Sequence, residues 1–139
     1  MEIRPFQPDD TPEVVQLWID CGLVVPWNDP HKDIQRKLAV QPEMFLVGSS
    51  DGCIIASVMA GYDGHRGWIN YLAVHPDHQR TGIGAAIMQQ AENRLRNLGC
   101  PKINLQVPSN NPAALEFYKK IGFKSDNVIS LGKRLEPDD

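Results

Sequence analysis

Two glycines one residue apart, Gly82 and Gly84, close the run HPDHQRTGIG at 75–84, between an apolar segment and a helix-like pattern. Without a Cβ the chain can bring backbone amides close to a ligand, and beside a helix start that ligand is most often a phosphate. Arg80, in the same loop, supplies charge suited to an anion. A P-loop is excluded because Ala85 and Ala86 follow Gly84 in place of Lys and Ser or Thr. A dinucleotide fingerprint is excluded as well. Ile87 stands where its third glycine belongs, and the NLQV run at 104–107 ends without an acidic residue. Two readings remain: an anion nest made by loop amides and a helix N-terminus, or a tight turn with no ligand.

Other reactive residue types are sparse. His75 and His78 share a Pro-containing loop with no second His or Cys pair at ligand spacing, so no metal is expected. Cys21, Cys53 and Cys100 are an odd number without Cys-x-x-Cys spacing, which predicts reduced and mostly buried thiols.

The elements that must position the glycine loop are readable from periodicity. EIRPF at the start reads as a strand. A helix follows, with Asp10 or Thr11 as cap, Pro12 in its first turn, Gly22 as its stop, and Val14, Leu17 and Trp18 on its buried face. A Pro-rich loop holding Trp27, Asn28 and Asp29 leads to a second helix at about 32–40. Three β-favouring runs, near 44–48, 53–61 and 67–74, are separated by SSDG and DGHRG and predict an antiparallel meander. After the glycine loop, Ile83, Ile87, Ala91 and Leu95 recur every four residues, with Leu98 extending the stripe. KINLQV reads as a strand, NPAALEFYKKIG as a helix stopped by Gly122, and NVISLGKRL as a last strand. The fourth strand, third helix and fifth strand form a β-α-β crossover. Those two strands are therefore expected to be parallel in an otherwise antiparallel sheet, an α/β architecture with helices flanking it.

The run QRTGIG resembles the Gln/Arg-x-x-Gly-x-Gly/Ala motif of the GNAT family of acetyl-CoA-dependent N-acetyltransferases. YLAVHP before it is similar to that family's fourth strand, and EIRPFQPDD to its first strand and turn. Asn111, Ala114, Tyr118, Gly122 and Phe123 match the family's Asn-x-x-Ala-x-x-x-Tyr-x-x-x-Gly-Phe pattern. The resemblance spans nearly the whole chain and implies the GNAT fold, with the fourth and fifth strands splayed apart. It implies acetyl-CoA as cosubstrate and a primary amine of a small molecule or protein as acceptor, joined by direct attack in a ternary complex. The coenzyme pyrophosphate would lie on the amides of Gln79, Arg80, Thr81, Gly82, Ile83 and Gly84, and the pantetheine along the backbone of Leu72, Ala73 and Val74. Asn111 would contact the coenzyme or simply cap its helix. Tyr118 would be the general acid, since a phenol with pKa near 10 is protonated at neutral pH; its alternative is a core tyrosine packed on Phe117.

In relatives that acetylate protein N-termini the fifth strand commonly carries a glutamate base. Here Gln106 stands in that place, and an amide cannot accept the proton. Asp29, Asp63, Glu116, His31 and His65 are the remaining acid-base groups, none of them assigned. Trp27, Asn28, Asp29 and His31 are candidates to line the acceptor side, the alternative being a surface loop pinned by Trp27. The absent glutamate also leaves room for a reading from another class, a non-catalytic acyl-CoA-binding module.

Composition bounds the rest. A chain of 139 residues fits a single domain, 1–139. A net charge of −3 with dispersed Lys and Arg argues against a nucleic-acid partner. No run approaches the roughly 20 apolar residues of a membrane span, and the N-terminus lacks signal-peptide features, which predicts a cytoplasmic protein with no membrane partner. A monomer or a homodimer paired through C-terminal strand edges are both consistent with the sequence.

Overall fold

The meander predicted between the turn clusters forms the centre of a five-stranded sheet in the computed structural model, which describes residues 1–138. The elements are β1 (Glu2–Pro5), α1 (Thr11–Asp20), α2 (Pro30–Leu38), β2 (Phe45–Ser50), β3 (Cys53–Tyr62), β4 (Gly67–Val74), α3 (Ile83–Asn97), β5 (Ile103–Leu105) and α4 (Pro112–Lys120). Strand order follows the chain, β1-β2-β3-β4-β5. All neighbours are antiparallel except β4 and β5, which are parallel because α3 carries the chain back across the sheet.

Each face of the sheet is covered by the helices whose apolar stripes the sequence predicts. Val14, Leu17 and Trp18 of α1, with Ile34 of α2, pack on Phe6, Phe45 and Val47. Ile87, Met88, Ala91 and Leu95 of α3 pack on Leu46, Val58 and Ile69 on the opposite face. Burial of each such large side chain contributes about 1.5–3 kcal/mol. The spacing of these residues therefore fixes which side of each helix turns toward the sheet.

Helix starts follow local chemistry with two departures. Asp29 accepts hydrogen bonds from the amides of His31 and Lys32, with Pro30 in the first turn, so α2 begins two residues before the predicted 32. Asp10 precedes α1 but does not cap it with its side chain. Its carboxylate instead accepts from both Arg4 guanidinium nitrogens, at 2.7 and 3.0 Å, and from the Gln7 amide at 2.8 Å. The charge-assisted fork outweighs a neutral cap, and it holds the Asp10 carboxyl below the usual carboxylate range.

Three further expectations need correction. Leu98 does not extend the α3 stripe: it follows the end of the helix and is 47% exposed. The thiols are not buried, since Cys53 is exposed beside the β2-β3 turn and Cys21 and Cys100 are half-buried. The largest difference is the missing last strand. Residues 127–135 form no strand, and Val128, Ile129 and Leu131 are 78%, 87% and 91% exposed. Asp126 is bonded by the side chains of Lys102 and Asn104, and Ser130 by that of Gln106. These contacts hold the segment a side chain's width from β5, too far for a backbone ladder.

Candidate active site

β4 and β5 pair only from Gly67 opposite Ile103 to Ile69 opposite Leu105. β5 ends there while β4 runs on to Val74, so a gap opens beside the second half of β4. A bulge marks the parting. Met59 pairs with Asn70 and Ser57 with Ala73, which leaves Tyr71 and Leu72 together opposite Val58. Tyr71 takes φ 51°, a left-handed conformation that costs a non-glycine residue about 1–3 kcal/mol. Buried contacts hold it there: Ser57 Oγ donates to the Tyr71 carbonyl at 2.8 Å and accepts from Trp18 Nε1 at 2.8 Å, while the Trp18 ring stacks on Tyr71 at 3.8 Å.

The ladder decides which β4 groups face the gap. The His75 amide donates to Ile55 of β3, so Val74 occupies a position whose peptide groups point away from β3. Its carbonyl is taken by Gln79 Nε2 at 3.0 Å and Cys21 Sγ at 3.2 Å, and its amide is turned toward the gap. Ala73 lies one residue out of phase, with its backbone in the β3 ladder and its side chain in the α1 core. Of the three β4 residues singled out from the sequence, Leu72 and Val74 thus border the gap through their backbone and Ala73 does not.

The glycine loop lies at the end of this gap. Arg80 has φ 64° and Gly82 φ 84°, two left-handed residues separated by Thr81, whose hydroxyl is tied back to the His78 carbonyl at 2.5 Å. Gly82 is the N-cap of α3 and contributes no side-chain cap, and the first turn has no acidic residue. The amides of Ile83 and Gly84 are therefore orphan donors at the positive end of a helix of 15 residues, with the exposed Arg80 alongside. The two glycines serve different ends. A Cβ at Gly82 would meet nothing within 4 Å, so glycine is needed there for conformation. A Cβ at Gly84 would lie 3.0 Å from the Phe117 ring, so glycine there lets α3 approach α4.

On α4, Asn111 caps the helix through its Oδ1, which accepts from the Ala114 amide at 3.1 Å. Tyr118 packs edge-on between Phe117 and Phe123, at 5.2 and 5.7 Å. It lines a groove of about 1020 Å³ together with Leu105, Gln106, Val107 and Ser130. Burial pushes the Tyr118 phenol up to about 12. It therefore remains a proton donor throughout the neutral range.

On the α2 side of the bulge stand side chains that the sequence did not single out. The Tyr71 ring leaves the bulge toward α2, and its hydroxyl donates to Asp33 Oδ2 at 2.7 Å. Burial, and then the neighbouring Asp33 carboxylate, raise the Tyr71 phenol well above its usual range. Asp33 Oδ1 in turn accepts from Arg36 at 2.9 Å. The i,i+3 spacing of Asp33 and Arg36 is a visible signal of their pairing, but nothing local marks Tyr71 as their neighbour. Asn28 accepts from Arg134, Asp29 caps α2, and Trp27 is 64% exposed and so does not pin the loop. Asp63 organises the β3-β4 turn, accepting from the His65 and Arg66 amides and from Trp68 Nε1. Glu116, His65 and His31 are exposed, and none of the three reaches the bulge through a hydrogen bond among the described residues.

The comparisons with known proteins agree with this arrangement. A family model described as the acetyltransferase (GNAT) family matches residues 11–123. A curated protein of Yersinia pestis, called an acetyltransferase, is 49% identical over 138 residues, covering 99% of this chain and 98% of that one. The aminoglycoside antibiotic 6'-N-acetyltransferase of Acinetobacter haemolyticus has the same fold, with a TM-score of 0.76 at 19% identity over 98% of this chain and 100% of that one. So does the ribosomal-protein-S18-alanine N-acetyltransferase of Escherichia coli, with a TM-score of 0.75 at 22% identity over 91% of this chain and 79% of that one.

Proposed function

Because the chain belongs to the GNAT family of acetyltransferases, we propose that it moves the acetyl group of acetyl-CoA onto a primary amine by direct attack within a ternary complex. The observation that carries this reading is the gap beside β4. It is bordered by the outward Val74 amide and ended by an uncapped helix start, and a protonated tyrosine stands on α4, the helix that approaches α3 at Gly84.

In this reading the amides of Ile83 and Gly84, with Arg80, hold the coenzyme pyrophosphate, and the conformations of Gly82 and Arg80 aim them. Gln79 and Thr81 shape the loop through their bonds to Val74 and His78. The backbone of Leu72 and Val74 pairs with the pantetheine as an added strand would, and the Val74 amide polarises the thioester carbonyl. Asn111, with its oxygen spent on the cap, offers its Nδ2 to the coenzyme. As the amine forms the new C–N bond the C–S bond breaks, its electron pair leaves with sulfur, and Tyr118 gives that sulfur a proton. The amine's own proton passes to solvent, and Tyr118 is reprotonated from the same source. An α-amine with pKa about 7.7–8.0 is substantially neutral before it attacks, so a chain with Gln106 just after β5 can manage without a strong base. Both named neighbours act as N-acetyltransferases, one on an aminoglycoside and one on a protein alanine, which supports nitrogen as the attacking atom.

The test is release of free thiol from acetyl-CoA across a panel of amines, peptides and polyamines. Amine-dependent release is expected. Saturable binding of acetyl-CoA with no release to any amine would favour the non-catalytic acyl-CoA-binding module instead.

A further inference from the structure

A heavily ligated carboxylate beside α2 belongs to the end of the described chain. Asp138 Oδ1 lies 2.7 Å from Arg36 Nη2 and 3.7 Å from Arg134 Nη1, and Oδ2 accepts from Arg36 Nη1 at 3.3 Å and from the Asp29 amide at 2.8 Å. Lys32 Nζ donates to the Asp138 carbonyl at 3.0 Å. The side chain is 2% exposed. Two guanidinium groups and the backbone amide of Asp29, the N-cap of α2, thus form a cradle of the kind that binds free carboxylates. One side chain, Asp33, separates Arg36 from the hydroxyl of Tyr71, the residue that makes the bulge.

Apolar burial does little to keep Asp138 in this cradle. No helix or strand forms after α4, and Val128, Ile129, Leu131 and Leu135 of the same segment are 78–91% exposed. Polar side-chain contacts hold the segment, and a second carboxylate can exchange for one of them. We propose that the Arg36 and Arg134 cradle is the carboxylate subsite of the acceptor pocket, filled by Asp138 until an acceptor displaces it, and that the acceptor bears a carboxylate beside its amine. This rests on the N-acetyltransferase reading and adds the acceptor's chemical class to it. The same chemistry is offered by a free amino acid and by an acidic residue near a peptide's N-terminus.

Binding is measured separately from turnover. The full chain and its Asp138→Ala variant are titrated calorimetrically with N-acetyl ω-amino acids of increasing length, their carboxamides, and acetylated short peptides carrying Asp or Asn. Emptying the cradle is expected to tighten carboxylate binding about tenfold while the carboxamides change little. Adding Arg36→Gln to Asp138→Ala is expected to abolish the preference for carboxylate over carboxamide. Arg36→Lys, which keeps the charge and loses the fork, should retain part of it and covers the case in which the glutamine variant folds poorly. A preference for the free amino acids or for the Asp peptides identifies the source. Equal affinities in Asp138→Ala, or a preference that survives Arg36→Gln, would overturn the subsite and leave Asp138 as an anchor of the chain end. Thiol release with uncharged amines is scored in parallel. Transfer without any carboxylate preference defeats this inference alone, whereas absence of transfer to every amine defeats the reading beneath it.

Discussion

The gap beside β4 has two walls of different construction. Toward α3 it is lined by peptide groups: the outward amide of Val74 and the first amides of a helix entered through left-handed Arg80 and Gly82. Toward α2 stand side chains, Tyr71, Asp33 and Arg36, the last of them bonded to Asp138, 102 residues away in sequence. The first wall depends on conformation and hardly on residue identity. The second depends on individual charges and hydroxyls, so one substitution can change what it accepts. A coenzyme common to a family suits the first construction, and an acceptor that differs among its members suits the second.

Three substitutions probe this contrast, from the largest expected effect to the smallest. Tyr118→Phe should lower kcat about 100-fold or more with little change in acetyl-CoA affinity, because it removes a proton donor and leaves the backbone wall intact. With its phenol pushed up to about 12, Tyr118 stays protonated up to about pH 10. A rise in rate between about pH 6 and 10 then reports deprotonation of the amine. An alkaline decline inside that window that disappears in Tyr118→Phe would show the phenol titrating too early for this role.

Ser57→Ala joins the two walls, since Ser57 bonds both Trp18 Nε1 and the Tyr71 carbonyl. It should destabilise the fold by about 1–3 kcal/mol in urea titrations, the cost of stranding buried polar groups. It should also weaken acetyl-CoA binding as the bulge relaxes. Loss of stability with coenzyme affinity intact would mean that the backbone holds the bulge without help. Gly82→Val is the mildest and the most selective. The strain of a β-branched residue at φ 84°, about 1–2 kcal/mol, should weaken coenzyme binding roughly tenfold by calorimetry and leave acceptor preference unchanged. A shift in acceptor preference instead would break the separation of the walls.

Much of the backbone wall was legible because it is local. Gly82, Gly84, the helix after them, and the parallel pairing imposed by the crossover all lie within residues 67–105, and their signals are turn chemistry and periodicity. Asn111 and Tyr118 were legible through their spacing in α4. The bulge was not, because YLAV reads as regular strand; Ser57 and Trp18, brought beside Tyr71 by packing, hold it at positive φ. The path of the chain after α4 was misread. Its β-favouring residues suggested a strand, but β5 offers just three paired residues, and the side chains of Asp126 and Ser130 hold the segment away from it.

By itself the sequence determined the elements as far as α4, their order, the helix faces they bury and the glycine loop that opens α3, because each follows from interactions between residues a few positions apart. Tertiary structure alone decided where β4 and β5 part, that Tyr71 reaches Asp33, and that Asp138 returns to Arg36. Those contacts join distant segments, and their energies depend on distances that no local pattern encodes.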